Sequence, residues 1–443
     1  MSKLRNGAFT LVAAAAVTAL AACSGGGGAA EPSTNPDGST SLDMWTFADV
    51  HAAYYESMAE KWNEANPDQE IQLEVTVYPY DDMHNKLQLA LNSGEGLPDV
   101  VDIEVNKFAN FVKGSTPPLV DLTEAAAPYQ DDVVQARLDL YSKDGHVYGF
   151  PTHVGAFVAF YNTELLEGAG IDYTTIKTWD DFREAGSTYH AATDKAFGVA
   201  STGVNFIEPL ITAQLGGEYF DADGNVQVNS PEVVEAVSMV QEMQDAGAVS
   251  TIPGGSPDDE QAYGAINDGD YAAIVYPAWY TSRYVDYMPD LDGKIAIAPA
   301  PAQDDAVVRT IGGGGTGTAI PVASPNKDLA SEWLAFAKLS PEANVAVWEE
   351  LGFDPVNMSV WEDEEVTKNP DNKFNKYFQT NLFDVLNEVK DGIGHLPSFS
   401  DPNWPAVDNT FTTVTLNDAY ENRVPAQDAL DKAQSSLQNE LGQ

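Results

Sequence analysis

The chain has 443 residues, with 22 Lys and Arg against 68 Asp and Glu for a formal charge of −46. That balance leaves no basic footprint for nucleic acid and repels phosphate-rich ligands at long range, so a neutral ligand is the easiest to reconcile with it. Hydrophobic content of 43% and aromatic content of 10% fit a globular chain of roughly two or three domains.

Lys3 and Arg5 precede an apolar run from Phe9 to Leu20 that is too short to span a bilayer. Leu20-Ala21-Ala22-Cys23 then matches the lipobox of bacterial lipoproteins, in which the cysteine becomes the lipidated first residue of the mature chain. Residues 1–22 are read as a signal peptide and residues 23–40, rich in Gly, Ser and Pro, as a flexible tether. Cys23 is the only cysteine, which excludes a disulfide framework. Acyl chains, not charge, would hold this protein to the outer face of the cytoplasmic membrane.

The globular part opens with a strand at Leu42 to Phe47, followed by Tyr54, Met58 and Trp62 at helical spacing. Ile71, Leu73, Val75 and Val77 alternate as a strand, a helix runs from about Asp82 to Leu91, and Pro98 to Glu104 is another strand. Strand alternating with helix is the pattern of an α/β, mostly parallel sheet, whose ligands sit beyond the carboxyl ends of the strands. That rule points to Trp45-Thr46-Phe47, Asp81-Asp82 and Asp102-Ile103-Glu104, with Trp45, Thr46, Asp81, Asp82, Asp102 and Glu104 as candidate ligand contacts. Tyr148-Gly149-Phe150-Pro151 breaks this unit, and Val154 to Tyr161 reads as a strand buried on both faces. Asn162-Thr163 caps a short helix and Thr178 caps the next. Further strands are expected at Ala196 to Ser201, Ala272 to Tyr276, Lys294 to Ala298 and Thr318 to Val322. Helices are expected at Phe206 to Leu215, Pro231 to about Gly247, Lys327 to Leu339 and after Pro425.

The stretch from Tyr148 to Asp181 closely resembles the crossover of extracellular solute-binding proteins that serve carbohydrate ABC importers. Ile266 to Ile274, Ala319 to Phe336 and Pro425 to Leu437 are similar to later runs of that family, in the same order. The resemblance implies a two-lobe periplasmic-binding-protein-like fold of type II with discontinuous lobes. Its lobe 1 comprises residues 41–152 plus 316–360, and lobe 2 residues 153–315 plus 361–443. It also implies a monomer that binds a mono- or oligosaccharide between the lobes and hands it to permease subunits, without catalysis or cofactor.

Other motifs carry less. Gly312-x-Gly314-x-x-Gly317 has the glycine spacing of a dinucleotide loop, but a strand follows where that chemistry needs a helix N-terminus. A hinge, with Gly313 and Gly314 facing the cleft, accounts for it better. Asp221-Ala222-Asp223-Gly224 lacks the closing ligands of a calcium loop and reads as a hairpin turn. The six histidines are scattered without metal-helix spacing, so no metal is expected.

Aromatic residues in loops are the positive signal, because a sugar ring offers an apolar face to them and hydroxyls to carboxylates and amides. Trp45, Phe150, Phe206, Trp279, Phe353 and Trp404 qualify, and His153, Asn205 and Asp354 stand beside them in the sequence. The resemblance assigns stacking roles to Trp279 and Trp404 in particular. Three alternatives remain at this level: a tethered glycoside hydrolase or lyase using a carboxylate pair, a purely structural or adhesive surface protein, and the same fold holding a non-sugar solute.

Overall fold

The computed structural model describes residues 34–443; the expected signal peptide, Cys23 and most of the proposed tether lie outside them. Residues 34–39, read as tether, instead form a turn against the first strand, with the Asn35 amide donating to Ser39 and Ser41.

The first sheet is built from β1 (Thr40–Thr46), β2 (Ile71–Val77), β3 (Val100–Glu104) and the strands Thr316–Ala319 and Phe150–Pro151. Its order is β2, β1, β3, Thr316–Ala319, Phe150–Pro151. β1 runs parallel to both its neighbours, while Thr316–Ala319 is antiparallel to β3 and to Phe150–Pro151. Helices α1 (Asp49–Ala65), α2 (Tyr80–Ser93) and α3 (Val105–Phe111) each begin just after one of the three parallel strands. Their N-termini therefore gather at one edge of the sheet, where the alternation rule places a ligand.

The second lobe is organised around Phe157–Asn162, all six residues of which are buried. This strand lies between the antiparallel partners Ala273–Pro277 and Ile295–Pro299. Its continuous apolar sequence follows from burial on both faces. At its end the Asn162 side chain accepts from the Leu165 N–H, and Thr178 with Asp181 closes a capping box on the helix Trp179–Thr193. Both caps satisfy amides that the helices leave unpaired.

The sequence-expected strand ends are shifted. The crossing strand begins at Phe157 rather than Val154, and the return strand is Thr316–Ala319 rather than Thr318 to Val322. Residues 152–156 and 312–315 form the two passages between sheets instead, bridged where Ala156 meets Gly312 and where the Gly313 N–H donates to Gly155 O at 2.9 Å. Gly315 has φ +96°, and a Cβ there would lie 2.5 Å from the Arg137 guanidinium. Arg137, itself buried, donates from Nε to His153 O at 3.1 Å and from Nη2 to Gly314 O, so one side chain of the first lobe grips both passages.

Candidate functional site

A cleft of about 320 Å3 opens between the two sheets beside these passages. From the first lobe it is lined by Phe47, His51, Tyr80, Glu104, Asn106 and Phe353. The second contributes Phe206, Asp258, Trp279 and Arg283, and the passages supply His153 and Gly314.

The polar wall is held in place by local structure. Glu104 ends β3 and accepts the Asn106 N–H at 2.8 Å, capping α3, while Tyr80 at the start of α2 donates its hydroxyl to the same oxygen at 3.1 Å. Burial pushes the Glu104 carboxyl up to about 7, outweighing those bonds. His153 is buried between Arg137 and Phe353, and among the described residues neither ring nitrogen has a hydrogen-bond partner. Burial and the nearby Arg137 charge hold its pKa well below the ordinary range, so the ring is neutral.

The aromatic wall is equally fixed. Trp279 donates from its indole N–H to Gly313 O at 2.9 Å, and the Arg283 guanidinium sits 5.3 Å from the ring centroid. Arg283 is in turn paired with Asp258 at 2.7 Å, and Tyr263 donates its hydroxyl to that same carboxylate. Phe206 packs edge-on against Phe157 and tilted against Tyr276. The arrangement sets apolar ring faces beside hydrogen-bonding groups around the cleft, with its half-buried cation already neutralised.

Six of the sequence candidates line this cleft: Glu104, His153, Phe206, Trp279, Gly314 and Phe353. Asn205 and Gly313 border a narrow adjoining recess with Asn106 and Phe399. The others stand elsewhere. Trp45 is buried in the core, its ring covered by the Lys86 ammonium at 4.4 Å and by the edge of Tyr78. Phe150 is fully buried in its strand opposite Thr318. Thr46 and Asp102 are buried beneath the cleft and bonded to each other at 2.9 Å. Asp81 and Asp82 are exposed in the first turn of α2, where they complement the helix dipole, and Tyr80 beside them reaches the cleft. Asp354 is buried and accepts the Gly155 and Ala156 N–H groups at 3.0 and 2.8 Å, tying down a passage.

Trp404 requires the clearest correction. It is 1% exposed, packed against Tyr219 and Phe399, and presents no ring face to the cleft. Its indole N–H donates to Asn106 Oδ1 at 2.9 Å, so it acts on the cleft only through Asn106. Phe47, which the strand-end rule also pointed to, lines the cleft, whereas His51, Tyr80, Asn106, Asp258 and Arg283 were not singled out from sequence. Tyr80 and Asn106 lie within two residues of positions that were, and Arg283 is one of few cations in a strongly acidic chain.

Residues 47–344 match the family of bacterial extracellular solute-binding proteins. The chain belongs to that family. This makes it an extracellular solute-binding protein rather than a glycoside hydrolase. The arabinooligosaccharide-binding protein of Bacillus subtilis is 40% identical over 413 residues, covering 92% of this chain and 94% of that one. Its counterpart in Halalkalibacterium halodurans is 39% identical, covering 92% of this chain and 91% of that one. The solute-binding protein shares its fold with the sugar-binding protein MalE of Xanthomonas citri (TM-score 0.76, 19% identity, 91% of this chain and 98% of that one). It is also similar to an ABC-transporter-associated binding protein of B. animalis subsp. lactis in complex with β-1,6-galactobiose (TM-score 0.72, 21% identity, 90% of this chain and 97% of that one).

Proposed function

We propose that this solute-binding protein captures an arabinose-containing oligosaccharide in the cleft and delivers it to the permease subunits of an ABC importer. The observation that carries the reading is near-full-length similarity, at 40% and 39% identity, to two arabinooligosaccharide-binding proteins. The cleft chemistry agrees with it. Trp279, Phe206 and Phe353 take the apolar faces of the sugar rings, while Glu104, Asn106 and His51 meet hydroxyls. Because Arg283 is paired with Asp258, a neutral ligand enters without stranding a charge.

Lobe 1 is assigned residues 41–152 and 316–360, and lobe 2 residues 153–315 and 361–443, with the glycine passages as the hinge on which they close. The protein is exported, lipidated at Cys23 and monomeric in this reading. Thermal unfolding of the chain from residue 34 onward, with arabinotriose, maltotriose and galactobiose and with recovered sugar analysed afterwards, tests the cargo. A saturable rise in Tm with intact arabinotriose is expected, equivalent to about 2.7 kcal/mol at a hundredfold excess over Kd. A rise only with the other sugars, or none at all, overturns it.

A further inference from the structure

Asp102 lies beneath the cleft floor and touches no cleft space, yet it is among the most heavily bonded side chains in the molecule. Its Oδ1 accepts from the Tyr55 hydroxyl at 2.7 Å and Thr318 Oγ1 at 2.8 Å. Its Oδ2 accepts from Thr46 Oγ1 at 2.9 Å and faces His51 Nδ1 at 3.2 Å. Lys338, also buried, donates to the Tyr55 hydroxyl at 2.7 Å and places a positive charge behind the cluster. Burial raises the Asp102 pKa, but the His51 and Tyr55 bonds and the Lys338 charge outweigh it and keep the carboxylate ionised.

An ionised carboxylate only accepts hydrogen bonds, so the nitrogen facing it must carry hydrogen. That nitrogen is His51 Nδ1. In the neutral ring the lone pair then resides on Nε2, which has no protein partner among the described residues, and the ring lines the cleft. A nitrogen that no protein group satisfies is left for the solute.

We propose that Asp102 is a positioning residue of the binding site, fixing the His51 tautomer so that Nε2 accepts a hydroxyl hydrogen from the bound solute. This deepens the oligosaccharide reading and rests on it for the identity of the donor. The site therefore selects for a hydroxyl at that point, and a ligand presenting only an acceptor there loses a bond and leaves buried groups unpaired.

Two measurements test it. In the free protein at mildly alkaline pH, 15N NMR of the imidazoles should show His51 protonated at Nδ1 and bare at Nε2. Hydrogen on Nε2 would overturn the proposal, whatever the cargo. Second, calorimetric titration with arabinotriose should find H51F weaker by about tenfold. H51Q should recover most of that loss, because Asp102 would accept the amide N–H and turn the amide oxygen to the solute. H51F binding as tightly as the native chain, or H51Q no better than H51F, overturns the proposal. Native protein that ignores arabinotriose would overturn the cargo instead, leaving the tautomer to be decided by NMR.

Discussion

The two walls of the cleft are built on different principles. On one side, His51, Glu104 and Asn106 bring polar groups to the cleft between the rings of Phe47, Tyr80 and Phe353, and His51 is backed by a buried network through Asp102, Tyr55, Thr318 and Lys338. On the second-lobe side, Trp279 and Phe206 present area, and their backing is aromatic packing with Tyr276 and Phe157. A polar contact is worth having only if its direction is fixed, whereas an aromatic face tolerates small rotations. The first wall therefore spends buried polar groups on orientation. The second contributes desolvation.

Substitutions should separate the walls. K338M, which strips the buried countercharge from behind Asp102, should cost about 3 kcal/mol of stability, read by urea unfolding. A loss below about 1 kcal/mol would show the network to be incidental. W279A should leave the fold intact but weaken arabinotriose binding by roughly 2 kcal/mol, about thirtyfold. D258A frees Arg283 from its partner and should weaken binding of the neutral sugar less, by roughly fivefold, in calorimetry. An equal effect from W279A and D258A would mean that the second wall does not act by area.

Acid–base behaviour sharpens the contrast most gently. Burial pushes Glu104, Glu208 and Asp354 up to about 7 and Asp408 up to about 6. A carboxyl whose folded pKa is raised gives stability that is fully present below its unfolded value, ordinarily about 4, and lost as pH climbs through the folded one. Tm should therefore fall by a few degrees between about pH 4.5 and 7.5. Asp102 runs the opposite way, its contribution disappearing only in strong acid because its pKa is held far below the ordinary range. A Tm that rises across that interval would contradict these burial assignments.

Much of the framework was legible in the residues. The crossover could be read from the Gly-Phe-Pro break, the apolar run to Tyr161 and the caps at Asn162 and Thr178, because local chemistry alone determines those features. The strand-end rule located the first wall and reached Glu104 and Phe47, but missed Tyr80 and Asn106 by one or two positions. Thr46 and Asp102 turn into the core, while Glu104 at the end of β3, Asn106 in the first turn of α3 and Phe47 just past β1 reach the cleft. Trp45 and Trp404 looked like exposed loop aromatics, and only long-range packing, on Lys86 and on Tyr219, buries them. The Asp258–Arg283 pair and the His51–Asp102 contact join residues far apart in sequence, and nothing local announces either.

Among the described residues all eight tryptophans are placed, and Trp279 is the one that lines the cleft. Tryptophan fluorescence during an arabinotriose titration, run on the native chain and on W279F, therefore asks directly whether the solute is held there. The native chain should give a saturable change that W279F loses along with much of its affinity. An identical change and affinity in W279F would place the solute somewhere other than this cleft.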